Sequence, residues 1–153
     1  MPGRFKGDAA QQLALDTYIK ISRACNTAQA YAKNGMEEAG LSYSQFAVLE
    51  ALYHLGPLTL SDLARRILRS SGNLTLVLDN LEKRALVKRR QQGEDKRFIM
   101  ATITPVGSKL IAGIFPQHAR QITEIMSRLT PEEQRQLGAL CKKLGKGGQE
   151  ASR

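Results

Sequence analysis

Apolar residues recur at helical spacing along most of this chain, and the pattern shifts to alternation only between Leu86 and Ile103. Leu60, Leu63, Ala64 and Ile67 mark one short helix, with Thr59 as N-cap and Asp62 placed to complete a capping box. Leu74, Val77, Leu78 and Leu81 follow the i, i+3, i+4, i+7 pattern of a second helix, capped by Ser70 or Ser71. Leu86–Arg90 and Phe98–Ile103 then read as β-prone runs bounded by Gln91–Lys96. In the second run Ile99, Ala101 and Ile103 alternate with Phe98, Met100 and Thr102. The order helix, helix, hairpin predicts a helix-turn-helix followed by a β wing.

The flanking sequence is helical. Met1–Gly7 reads as a mobile arm, and a long, uneven pattern runs from about Asp8 to Asn34, carrying Leu13, Ile19, Ile21, Cys25, Ala28 and Tyr31. Ser42 and Gln45 form a capping box for the next helix, whose buried side is Phe46, Leu49, Leu52 and Tyr53 and whose stop is Gly56-Pro57. After the wing, Thr104-Pro105 opens a helix toward Leu129, with a kink expected at Pro116. Thr130 and Glu133 cap a last helix continuing to Leu144, and Gly145–Arg153 reads as a loose tail. The apolar stripes of the terminal helices exceed what one small winged domain covers. A second copy of the chain is the simplest cover.

Charge narrows the reading. The chain carries a formal +9 with an isoelectric point near 9.9. Ser61–Ile99 alone holds ten basic and five acidic residues, an excess that favours polyanions. A membrane role is excluded by the lack of an apolar run approaching ~18 residues. Nor does an apolar core follow the basic start as in a signal peptide, so a cytoplasmic location is expected. Cys25 and Cys141 are too few and too far apart for a metal site or disulfide framework. His54 and His118 read as cap or surface residues. With no grouping of acid, base and nucleophile, the chain is not expected to be an enzyme, and no cofactor or metal is implied.

The second helix carries the candidate chemistry. Opposite its core stripe lie Gly72, Leu76, Asp79 and Lys83, flanked by Asn73, Thr75 and Asn80. Asn can bond adenine in bidentate fashion, and an apolar tip can touch a thymine methyl. The free N–H groups at Ser70 or Ser71 suit a phosphate. Arg65, Arg66 and Arg69 fall away from the first helix's apolar stripe. On the wing Lys88, Arg89 and Arg90 lead to a tip bearing Lys96 and Arg97, and a basic tip can lay arginine into a minor groove. The plainer alternatives are an amphipathic helix with an unused outer face and a merely solvated loop.

The run SSGNLTLVLDNLEKRALVKRR, the Asp95-Lys96-Arg97 triplet and the ITPVG that follows resemble the MarR family of bacterial transcription regulators. Asp95 and Arg97 match that family's Asp-x-Arg wing pair, and Thr104 with Gly107 its Thr-x-x-Gly start to the next helix. The likeness is close from about Leu41 to Leu110. It implies that Arg97 reaches the minor groove while Asp95 orients it. It also implies that the first and last helices interlock with those of a twin, and that a small phenolic or aromatic effector releases DNA. No residue here announces that ligand. Two positions depart from the family pattern: Ala85 stands where glycine is usual, and Leu76 where many members carry arginine.

The expected architecture is mainly α with a small β wing: a single domain over 1–153, its winged helix-turn-helix (41–103) flanked by dimerisation helices (8–34 and 104–144). The expected DNA-contacting residues are Arg69, Ser70, Ser71, Gly72, Asn73, Thr75, Leu76, Asn80, Lys83, Asp95, Lys96 and Arg97. The expected function is sequence-specific binding of double-stranded DNA as a homodimeric repressor on a near-palindromic operator. One rival is a basic protein that coats DNA without reading it; another is a winged helix used only for protein docking.

Overall fold

The structure, a computed structural model, describes residues 5–67, 71–95 and 98–150, with backbone alone at 71–72 and 147–150. In chain order the elements are α1 (Ala9–Tyr31), α2 (Asn34–Glu38), α3 (Tyr43–Leu55), β1 (Leu58–Thr59), α4 (Leu60–Ile67), α5 (Ser71–Lys83), β2 (Val87–Gln91), β3 (Ile99–Ile103), α6 (Pro105–Met126) and α7 (Pro131–Glu150). They divide into a central unit, Lys33–His118, and a unit of the two chain ends, up to Ala32 and from Ala119 on.

In the central unit α3 packs against α4, α5 and β3. With neighbours on several sides its buried arc is wide: Phe46, Val48, Leu49 and Leu52 are all sealed from solvent. Each such side chain contributes roughly 1.5–3 kcal/mol on burial. Val48 therefore joins the core, whereas Tyr53, expected inside, stays at the surface with its ring edge-on to His54. Leu63 of α4 and Leu74, Leu78 and Leu81 of α5 complete the seam, as their spacing requires. His118, expected as a cap or surface residue, is half-buried, its ring centroid 4.7 Å from that of Phe46.

Three antiparallel strands form the sheet, in the order β1-β3-β2. Beyond the expected hairpin, Leu58 and Thr59 pair with Ala101 and Met100. The hairpin register runs from Val87 opposite Ile103 to Gln91 opposite Ile99. At the open edge of β2 the Arg89 N–H is taken by Glu82 Oε1 at 2.8 Å, one of the ways native sheets close an edge to further pairing.

A tight knot joins α5, the wing and α6. The Leu86 N–H donates to the Leu81 carbonyl at 3.0 Å and the Ala85 N–H to that of Glu82 at 2.8 Å, the paired bonds of a Schellman cap. This cap requires a left-handed residue, and Ala85 supplies it at φ 56°. The turn is thus the left-handed one that favours glycine, with an alanine in it. The same cap ends α2 with glycine: Gly40 has φ 65°, and Leu41 N–H reaches the Met36 carbonyl at 2.8 Å. Ala85→Gly should accordingly stabilise the fold by about 0.5–1 kcal/mol, strain relief outweighing the added freedom of the unfolded chain. Urea unfolding of the two proteins checks this; a lower midpoint for the glycine variant would refute it.

Thr104 locks the knot. Its buried hydroxyl donates to the Ala85 carbonyl at 2.6 Å and accepts the Gly107 N–H at 3.0 Å, capping α6. The Thr104 N–H also reaches the Leu86 carbonyl at 3.0 Å. A Cβ on Gly107 would lie 2.2 Å from that same carbonyl oxygen. The Thr-x-x-Gly motif is therefore a close-packing device between the base of the wing and α6.

In the terminal unit Asp8 and Gln11 cap α1 reciprocally, as Thr130 and Glu133 cap α7. α1 stops at Tyr31, short of Asn34, and the five-residue α2 follows. Glu124 of α6 accepts a hydrogen bond from the Tyr31 phenol, and this raises the phenol's pKa. α6 continues through Pro116 to Met126. The expected loose tail is corrected over 145–150, where α7 remains helical to Glu150. Each glycine there costs about 1 kcal/mol of helix propensity, which is not enough to end the helix at Leu144. Among the described residues no helix is long and apolar enough to cross a membrane.

Candidate nucleic-acid interface

The surface begins on α5. Its inner face is fixed by Leu74, Leu78 and Leu81, so the residues between them turn outward. Asn73 and Thr75 are exposed there, Leu76 is 61% exposed between them, Asn80 is half-buried and Lys83 lies open near the end. Ser71 opens the helix and Gly72 follows it. Arg69, Ser70, Lys96 and Arg97 lie outside the described residues. Asp95 is half-buried at the base of the wing loop, where its carbonyl accepts the Phe98 N–H at 3.1 Å.

Behind this surface the basic run from Lys83 to Arg90 sorts into two kinds of residue. Arg89 was expected among the wing's surface cations, and Asp79 on the outward face of α5. Instead they meet: the Arg89 guanidinium bonds the Glu82 carboxylate at 2.8 Å and pairs with Asp79 as well. Glu82, then Asp79, holds the guanidinium even more firmly protonated than usual. Arg89 in turn keeps the Glu82 carboxyl below its ordinary range. The clamp fixes the first wing strand to the helix beside it.

Arg84 is structural too. Its guanidinium donates to the carbonyls of Ala39 and Gly40, each at 2.9 Å, satisfying acceptors just past the end of α2. Lys83, Lys88 and Arg90 remain on the exposed surface. A sequence signal for Arg89 existed: it shares a strand face with Val87, which is buried, and period-two alternation aims both inward.

On α4 the Thr59 hydroxyl accepts the Asp62 N–H at 3.1 Å, as an N-cap should. The Asp62 carboxyl is held below its ordinary pKa, first by a hydrogen bond with the Thr59 side chain and then by Arg65. Arg65 is thus engaged locally, while Arg66 is exposed.

What these parts can do together is present a small, polar, convex helix face at fixed depth beside a β-hairpin. A major groove is wide enough to admit an α-helix.

Known proteins share this arrangement. A model of the MarR family matches residues 41–99. The uncharacterized HTH-type transcriptional regulator YkoM of Bacillus subtilis is 38% identical over 132 residues, covering 86% of each chain. Among solved structures, NadR in complex with 4-hydroxyphenylacetate is 25% identical with a TM-score of 0.75, covering 95% of this chain and 99% of its own. Sco3205, a MarR family transcriptional regulator from Streptomyces coelicolor in complex with DNA, shares the fold. Its TM-score is 0.79 at 24% identity, over 96% of this chain and 92% of its own. The motif from Ser70 to Gly107, the winged helix-turn-helix and these likenesses converge: the chain belongs to the MarR family of DNA-binding, HTH-type transcription regulators.

Proposed function

We propose that this regulator is a homodimeric repressor that reads a near-palindromic DNA site. The observation that carries the reading is the outward face of α5, with Asn73, Thr75 and the uncovered Leu76, held beside a clamped wing. In this reading α5 enters the major groove, where Asn73 bonds a base edge and Leu76 meets a thymine methyl. Arg97 reaches the adjacent minor groove and Lys83 serves the phosphates.

The homodimer accounts for apolar surface on the terminal helices. Leu13, Tyr18 and Ile19 of α1 and Leu140 and Leu144 of α7 are all exposed in the single chain, more than a soluble monomer usually leaves uncovered. A two-fold pairing of these helices sets two reading heads on successive major grooves. In this reading the pair represses by occupying a promoter. The family likeness, with NadR bound to 4-hydroxyphenylacetate, supports release by a small phenolic or aromatic effector.

Two variants test the docking. Asn73→Ala should relax base preference by ~1–3 kcal/mol at one position of the site. Arg97→Ala should weaken specific and random DNA alike and lower the salt slope by about one. Titrations of a selected site and a scrambled one at several salt concentrations read both effects. Unchanged binding in both variants, with circular dichroism unchanged, contradicts the geometry.

A further inference from the structure

Phe98 is an apolar side chain directly after a polar stretch, Lys88–Arg97. It lies one residue past the tip pair Lys96-Arg97 and is 56% exposed. A lone exposed phenylalanine means little. Three features set this one apart.

Its backbone is pinned: the Phe98 N–H donates to the Asp95 carbonyl at 3.1 Å, and its own carbonyl accepts the Gln92 N–H at 2.8 Å. Those two bonds close the loop at its base and fix where the ring is mounted. Strand alternation puts Phe98 on the same face as Met100 and Thr102. Opposite these in the hairpin stand Arg90 and Lys88, both exposed, so the ring heads a mixed face of apolar and cationic groups. Among the described residues Phe98 belongs neither to the buried core nor to the apolar side chains packed on it, a set that does include Ile103.

The groove walls of duplex DNA are built the same way, with deoxyribose C–H edges running between charged phosphates. We propose that Phe98 is the wing's apolar contact with DNA, its ring packed on the sugar edge of the minor groove beside the tip. The proposal rests on the wing's touching DNA, as argued above. The contact removes ring and sugar from water together and involves no ion. It is therefore sequence-tolerant, and it adds affinity without adding to the counterions released.

Lack of charge makes the role separable by experiment. The full chain is titrated with a labelled mixed-sequence duplex of about 30 base pairs, at several salt concentrations, alongside Phe98→Ala, Phe98→Tyr and Arg97→Ala. Phe98→Ala should bind about tenfold more weakly at every salt, with the log–log salt slope of the parent. Phe98→Tyr, which keeps the ring, should stay within about twofold. Thermal melts of the Phe98 variants should match the parent, because the ring is largely exposed. If Phe98→Ala binds like the parent while Arg97→Ala is weakened, the proposal fails and the wing's role stands. A fall in slope for Phe98→Ala would mean that the tip had shifted, a merely structural role, and would also overturn it. If neither Phe98→Ala nor Arg97→Ala changes binding, the wing does not touch DNA and both readings fall.

Discussion

Gly107→Ala should destabilise the protein by roughly 3 kcal/mol, near the upper end for a single added methyl group. The new Cβ would stand 2.2 Å from the Leu86 carbonyl oxygen and 2.8 Å from Ile103 Cγ1. Ile103 is a side chain and can turn. The carbonyl cannot easily yield, because it accepts the Thr104 N–H at 3.0 Å and Leu86 also closes the Schellman cap on α5. Strain must pass either into the first turn of α6 or back into α5. With m-values of about 1–3 kcal/mol per molar urea, the midpoint should fall by more than about 1 M. An unchanged midpoint would mean that α6 can start from a different position, contrary to the knot described above.

A second large effect is expected at Arg89. Arg89→Met keeps much of the side chain's bulk and removes the charge, leaving Glu82 and Asp79 to repel each other beside the first wing strand. Arg89 is mostly buried, but Glu82 and Asp79 are each about a third or more exposed. Water therefore screens part of the interaction, and the expected cost is roughly 1–3 kcal/mol near neutral pH. The pH dependence follows from Glu82, whose folded-state pKa is depressed chiefly by its hydrogen bond from Arg89. Such a group contributes stability that is fully present above its unfolded pKa and is lost as pH falls through the folded value. The stability gap between parent and variant should be widest near neutrality and narrow below about pH 4. Urea titrations across that range measure it. A gap of constant size would show that Arg89 acts through packing alone.

These two sites also show what the amino-acid pattern reveals and where it stops. Elements whose signal is local were legible. The spacing of Leu74, Val77, Leu78 and Leu81 located α5, and the Ser42–Gln45 and Thr130–Glu133 boxes marked helix starts that the hydrogen bonds reproduce. Elements defined by distant partners were not. β1 has only two residues, and it is a strand because Ala101 and Met100 lie beside it, some forty positions away. α2 is too short, with Gly35 inside it, to show a helical period.

Charge was the least legible property. Arg89 looked like more of a basic surface because its partners, the carboxylates of Asp79 and Glu82, meet it only in the fold, and nothing local marked Arg84 as the partner of the Ala39 and Gly40 carbonyls. The net positive charge pointed correctly toward a polyanion, but it could not say which cations serve the fold. The departure at Ala85 was legible as a question, which φ 56° answers.

Sequence-specific reading of DNA by a pair of these chains can be measured by selecting bound duplexes from a random-sequence pool with the purified protein, then sizing the complex with the winning duplex by sedimentation. The prediction is enrichment of a near-palindrome whose half-sites are about 10 base pairs apart, centre to centre. It should be bound by a species containing two chains of 16.9 kDa. A recovered pool as random as the input, with even affinity for all duplexes that collapses as salt rises, would contradict the claim and leave a basic protein that coats DNA without reading it.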